Sequence, residues 1–329
     1  MLYNLYGAFA ENVLIYAAVL GGFVLTFVLL AALKEKLPGD QGRAFAVNAA
    51  AAKGKPRGAG VVFVPVFAFL ILLFVPISWE SVCYVVLLIL AMLAGYLDDA
   101  SKAPWGEYKK GFIDLVIALL ITLVFIFNNS TTILLPYSGK TVMLPVWLYA
   151  ILGPVLVWAS VNVVNCTDGV DGLSSTLSLI SMGAFIALMG KESVAEHIGK
   201  YIIGTDFRMW IYIFMGVLGA YLLLNAGPSI ILMGDAGSRT LGVFFALAAM
   251  KSGCPLMFLL ICLVFIIDGG LGLIKVSLLR FLKIHILKNV RTPIHDHVRK
   301  NKGWSDYQTV LRFAVLHAAV LFAALFLIR

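Results

Sequence analysis

Long apolar runs separated by short polar connections constrain this chain more than any single motif does. They fall near 12–33, 59–77, 82–97, 111–128, 146–165, 173–190, 209–224, 241–253, 255–280 and 307–328. A helix that crosses a bilayer uses about 20 residues, so ten of them use about 200. That agrees with a chain of 329 residues that is 61% hydrophobic and 13% charged. Such a composition, with a mean hydropathy of +0.98, excludes a water-soluble globule, a disordered chain and a coiled coil. The predicted fold class is an all-α integral membrane protein of about ten transmembrane helices. It forms a single polytopic domain over 1–329, with cytoplasmic loops near 34–58, 98–110, 166–172, 225–240 and 281–306. The eighth run is short and is closed by Gly253-Cys254-Pro255. The N-terminus lacks the basic region and small-residue cleavage site of a signal peptide, so the first run is read as a retained helix. Cys83, Cys166, Cys254 and Cys262 show no metal or disulfide spacing and are read as apolar fillers.

Basic residues orient the chain. Seventeen of the 25 Lys and Arg fall in the odd-to-even connections and six on the opposite face, which places those connections in the cytoplasm and both termini outside. The net charge of +8 is therefore a property of the cytoplasmic face, and nucleic acid is not needed to explain it. On the outer face, residues 129–145 read as a short β-hairpin that turns at Tyr137-Ser138-Gly139-Lys140.

The chain has only 17 acidic residues, so their placement is informative. Asp98, Asp99, Asp168, Asp171, Asp235 and Asp296 all fall at the cytoplasmic ends of runs, and Asp268 lies inside the ninth. One such Asp is ordinarily a solvated helix end. Six, from four separate loops, point to a site, because ionisable groups at membrane depth usually serve one.

In Gly95-Tyr96-Leu97-Asp98-Asp99-Ala100-Ser101-Lys102 the adjacent carboxylates diverge by about 100° on a helix, so one can face a metal and the other a substrate. Lys102, four residues after Asp98, lies on its face. In the stretch from Asn162 through Asn165, Asp168, Gly169 and Asp171 to Leu173, the acids are three apart and glycines let a ligand approach the backbone. In Asn225–Arg239, Asp235 stands between glycines beside Ser238 and Arg239, which suits Mg²⁺ and phosphate; a plain helix N-cap is the alternative. In Arg291–Arg299, His295 and His297 flank Asp296, which suits anion binding or proton transfer better than zinc. Together with Lys53, Lys55 and Arg57, these clusters fit phosphoryl transfer from a cytosolic nucleotide to a lipid acceptor.

These strings resemble the polyprenyl-phosphate N-acetylhexosamine-1-phosphate transferase superfamily over nearly the whole chain. The Asp-Asp pair, the Asn-x-x-Asp-Gly-x-Asp-Gly string and Met-Gly-Asp-x-Gly-Ser carry the resemblance. Pro293-Ile294-His295, Gly303-Trp304 and Arg312-Phe313 point to its bacterial phospho-N-acetylmuramoyl-pentapeptide branch. The resemblance implies attack of undecaprenyl phosphate on the β-phosphate of UDP-MurNAc-pentapeptide, with release of UMP. It also implies a Mg²⁺ cofactor, a homodimer, and a place in the bacterial plasma membrane with the active site facing the cytoplasm. By motif, Asp235 and Asp99 would hold the metal, and Asp98 would take the proton of the acceptor phosphate. Asn162, Asn165, Asp168, Gly169 and Asp171, with Lys102, Lys53, Arg57 and His297, would bind nucleotide or substrate, and His295 would position the pyrophosphate or sugar. A direct displacement and a phospho-enzyme route fit the same residues.

Three departures distinguish this chain from the pattern. His295-Asp296-His297 stands where three histidines are usual, and Pro56-Arg57-Gly58-Ala59-Gly60 stands for Pro-Thr-Met-Gly-Gly. Leu232 replaces an aromatic that would stack on uracil. Asn48-Ala49-Ala50-Ala51-Ala52 is a bland loop. Transfer of GlcNAc-1-phosphate to the same lipid is the alternative within the class. A cation-coupled transporter is the alternative outside it, and it requires midplane carboxylates, for which only Asp268 qualifies.

Overall fold

An apolar run inside a bilayer must close its backbone hydrogen bonds within itself, and each of the ten runs is helical. The structure, a computed structural model, describes residues 11–42, 53–101, 103, 105–203 and 206–328. Lys102 and the Asn48–Ala52 loop lie outside the described residues. The helices are α1 (Glu11–Leu33), α2 (Gly60–Phe74), α3 (Trp79–Asp99), α4 (Glu107–Asn128), α5 (Val146–Thr167), α6 (Leu173–Met189), α7 (Glu192–Tyr201), α8 (Phe207–Asn225) and α9 (Gly234–Lys251). They continue as α10 (Pro255–Ile261), α11 (Leu263–Leu282), α12 (Ile294–Lys302) and α13 (Asp306–Phe326).

Among the described residues six helices, α1, α3, α4, α5, α8 and α13, are long and apolar enough to cross a membrane. Two pairs pass the same test together but bend, α6 with α7 by 80° and α10 with α11 by 67°, which raises the number to eight. α2 is apolar but has 15 residues.

Local chemistry sets several helix ends. Ser78 accepts a hydrogen bond from the Ser81 N–H to open α3, and Ser305 and Gln308 form a capping box at α13. The ninth apolar run does not form one helix. It breaks at Cys262, and α11 takes wider π turns at Ile266–Gly270 and Leu278–Leu282.

α9 is the axis of the molecule, with every one of its residues buried among α2, α3, α5 and their neighbours. It begins seven residues before the apolar run does, because Asp235, Ser238 and Arg239 are buried by tertiary partners rather than by hydropathy. α2 and α3 press on its first turn through glycines. A Cβ at Gly60 would lie 2.3 Å from the Gly237 nitrogen, and one at Gly95 would lie 2.3 Å from the Asp235 carbonyl oxygen. This contact brings the C-terminus of α3 against the N-terminus of α9.

The far end of α9 carries the hairpin. β1 (Thr132–Leu135) pairs antiparallel with β2 (Lys140–Met143), Thr132 opposite Met143. The Leu134 N–H donates to the Gly253 carbonyl at 2.8 Å. Beside it, buried Lys251 donates to Glu80 at 3.0 Å, to the Asn129 side chain at 3.2 Å and to the Ile203 carbonyl at 2.8 Å. An 18-residue helix is about 27 Å long, so this network and the hairpin stand at the opposite end of α9 from Asp235.

Candidate active site

Asp98 and Asp99 close α3, and their side chains diverge as adjacent helical positions must. Asp98 accepts from the Trp105 N–H at 2.7 Å and is paired with Lys110. Asp99 points the other way, accepting from the Ala236 N–H at 3.1 Å and from Arg57 Nε at 2.7 Å. Its oxygen fills the space beside Gly234, which has φ +71°; a Cβ there would lie 2.3 Å from Asp99 Oδ2.

Asp235 sits in the first turn of α9, where unpaired backbone N–H groups favour an anionic side chain. It is reached by three cations: Arg57 Nη2 at 3.2 Å, Lys110 Nζ at 3.5 Å and Arg239 Nε at 3.4 Å. Arg57 is the hub, because its third bond runs from Nη1 to Asp40 at 2.7 Å. Burial acts against the Arg57 charge. Asp99 and Asp235 and the bond to Asp40 outweigh it, so the guanidinium is held protonated more firmly than in water. Backbone pairing fixes the loop that carries it: Leu232 N–H donates to the Pro56 carbonyl at 2.8 Å, and Ala59 N–H to the Leu232 carbonyl at 3.1 Å. Arg239 also pairs with buried Asp114 of α4.

The second acidic string lies alongside. Asn165, near the end of α5, donates to Ser238 Oγ at 2.9 Å and so links α5 to α9. Asp171 accepts from the Ser229 N–H at 2.9 Å and lies 3.4 Å from Lys55 Nζ. Asn225 accepts from the Gly172 N–H at 3.0 Å and donates to the Ile231 carbonyl at 3.0 Å. These bonds lace the 168–172 and 225–233 segments together at the end of the bundle that holds Asp235. His295 opens α12 with its Nε2 edge against Gly169, where a Cβ would lie 2.4 Å from that nitrogen. Asp296 sits 3.7 Å from Arg291 and 3.5 Å from Arg299.

The structure thus brings Asp98, Asp99, Asp235, Arg57, Asn165 and Asp171 into one laced region, with Gly169 and His295 at its border. Other residues singled out in the sequence stand apart. Asn162 donates to the Trp158 carbonyl one turn back on its own helix. Lys53 is exposed on the turn before Arg57. His297 accepts from the Arg291 N–H at 3.3 Å.

Sequence reasoning gives no site role to Lys110, Asp40 or Asp114, and gives Asp268 only the role of walling the cleft with Lys275, seven residues on. Asp268 carried the clearest signal, a carboxylate within an apolar run followed by two glycines.

The donor set is chemically suited to a hard divalent cation. Among the described residues no three of His, Cys, Asp or Glu converge into a ready-made metal cage. Mg²⁺ does not need one, since it takes one or two carboxylates and completes its shell with water and substrate phosphates. Asp99 and Asp235, already bridged by one cationic group, fit that role.

Residues 81–253 match the family described as Glycosyl transferase family 4. The chain is 41% identical over 313 residues to a protein of Treponema pallidum (strain Nichols), covering 92% of this chain and 86% of the relative. It is 30% identical to one of Listeria monocytogenes serovar 1/2a over 79% of this chain and 80% of the relative. It is 26% identical to one of the Wolbachia of Drosophila simulans over 80% and 81%. All three relatives are named phospho-N-acetylmuramoyl-pentapeptide-transferase. With the two-stranded hairpin, the apolar helices and the acidic clusters all in place, the chain belongs to glycosyl transferase family 4 and, within it, to the family of these transferases.

Proposed function

We propose that the chain transfers phospho-MurNAc-pentapeptide from UDP-MurNAc-pentapeptide to undecaprenyl phosphate, releasing UMP and forming the first lipid intermediate of peptidoglycan synthesis. The observation that carries this reading is the meeting of Asp98, Asp99 and Asp235 around Arg57 and Lys110 at one end of the bundle. Carboxylates and basic side chains in that mixture suit a pyrophosphate and a phosphate acceptor brought together.

An oxygen of undecaprenyl phosphate attacks the β-phosphorus of the donor. The bond from that phosphorus to the bridging oxygen breaks, and UMP leaves with the electron pair. Asp98, near Lys110 and the Trp105 N–H, takes the acceptor's proton if it carries one. Asp99 and Asp235 would hold Mg²⁺, which would supply charge neutralisation at the phosphates. Arg57, Lys110 and Arg239 orient the phosphates. Asn165 and the 168–171 segment bind the nucleotide, and His295 positions the pyrophosphate or sugar.

The same reading gives ten spans in a bacterial plasma membrane, with both termini outside and the site on the cytoplasmic face. The excess of Lys and Arg in the odd-to-even connections supports it. The family resemblance adds a homodimer. Asp235→Ala tests the site: UMP release is expected to vanish while the melting profile in detergent stays cooperative. Retained release would remove Asp235 from the metal position.

A further inference from the structure

Asp268 belongs to none of the acidic strings, yet it is fully buried, in the π turn Ile266–Gly270 of α11. Both of its oxygens go to one residue. Oδ1 accepts from the backbone N–H of His295 at 2.7 Å, and Oδ2 lies 2.7 Å from His295 Nδ1. The backbone bond satisfies one of the N–H groups left open at the start of α12, so the carboxylate fixes the chain as well as the ring. An ionised carboxylate only accepts, so the hydrogen between Oδ2 and the ring must sit on Nδ1. Nε2 is then the acceptor, and it is the edge that faces Gly169 of the 168–171 segment. Two carboxylates, Asp268 and Asp296, stand beside the ring. Asp296 Oδ1 stands 3.8 Å from Nε2 and is itself paired with Arg291 and Arg299. π turns recur where a side chain is aimed for function, and this one aims Asp268 at His295.

We propose that Asp268 is a positioning residue for the transfer reaction. It holds His295 in the Nδ1–H form and presents Nε2 to the nucleotide segment as the acceptor for a hydroxyl or N–H of the donor substrate. The inference rests on the proposed function for its kinetic consequence, but the tautomer is measurable without substrate.

The direct test is a ¹⁵N spectrum of the full-length protein labelled at its five histidines, at alkaline pH where imidazole is neutral. His295 is assigned by its loss in His295→Gln. The expected signature is a protonated Nδ1 and a bare Nε2; a protonated Nε2 would overturn the proposal.

Asp268→Asn sharpens the test. The amide offers one acceptor, which the His295 backbone N–H takes, and its NH₂ then faces Nδ1. Nδ1 must give up its hydrogen, and the tautomer flips to Nε2–H, the same logic by which an amide in place of a histidine-orienting aspartate leaves geometry intact and disables a hydrolase. The expected result is the flipped spectrum and a fall in kcat/KM of about 10- to 100-fold, with the melting midpoint little changed. Wild-type kcat/KM in this variant would refute the proposal. If the variant does not fold, the wild-type spectrum still decides. If the wild-type protein releases no UMP from UDP-MurNAc-pentapeptide, the proposed function fails while the tautomer result stands by itself.

Discussion

Replacing Arg57 by Ala removes a group that touches three buried carboxylates. The Arg57 side chain is 16% exposed, and those of Asp40, Asp99 and Asp235 are 5%, 1% and 4% exposed. Truncating one partner of a fully buried pair costs about 3–5 kcal/mol. Here the carboxylates keep other donors: Asp40 retains the Gly42 N–H, Asp99 the Ala236 N–H, and Asp235 retains Lys110 and Arg239. A loss of about 1 kcal/mol for each of the three bonds is the reasonable scale, giving about 3 kcal/mol in all. For a chain of this length that is a drop of roughly 5 °C in melting midpoint.

Fluorescence of the six tryptophans in detergent, with chelator present, reads it. Added Mg²⁺ is expected to raise the midpoint of Arg57→Ala more than that of wild type, because a divalent cation supplies the charge that the guanidinium withdrew. Arg57→Lys should fall between the two, since an ammonium is a point charge that cannot serve three carboxylates in a fixed fork. An Arg57→Ala midpoint within a degree of wild type would refute the hub role, and equal Mg²⁺ shifts would refute the link to the metal position.

At the opposite end of α9, Lys251→Met leaves Glu80 buried without its cation and should cost about 3–5 kcal/mol; below the melting range UMP release should remain near wild type, as a thermal profile paired with an assay would show. Leu232→Phe supplies the ring that this chain lacks before Asp235, and calorimetric titration with UMP should find affinity raised by about 3- to 10-fold. Unchanged affinity would mean that the base does not lie over residue 232.

The helical segments were legible because a bilayer leaves the backbone no other partner, and the hairpin because alternating strands flank a Gly-containing turn. Where tertiary contacts decide, the sequence was opaque. α9 starts at Gly234 because Arg57, Lys110 and Asp114 bury its polar first turns, which hydropathy scores as loop. α7 carries charges on one face and an apolar stripe too short to register as a run. Asp268 and Lys275 are seven apart, which on a regular helix places them near one face. The π turn breaks that register, so Asp268 meets His295 while Lys275 donates to the carbonyls of Leu287 and Val290. Asp98 is paired with Lys110 of α4, twelve positions on, a partner that sequence spacing did not assign to it. The residue types of the site were readable; which cation reached which carboxylate was a property of the packing.

The transfer reaction is read directly by presenting purified protein, undecaprenyl phosphate and Mg²⁺ with UDP-MurNAc-pentapeptide and, separately, with UDP-GlcNAc, while measuring UMP and the mass of the lipid product. The expected result is UMP in one-to-one ratio with undecaprenyl-pyrophosphoryl-MurNAc-pentapeptide, abolished by chelator, and no lipid product from UDP-GlcNAc. Turnover of UDP-GlcNAc alone would contradict it.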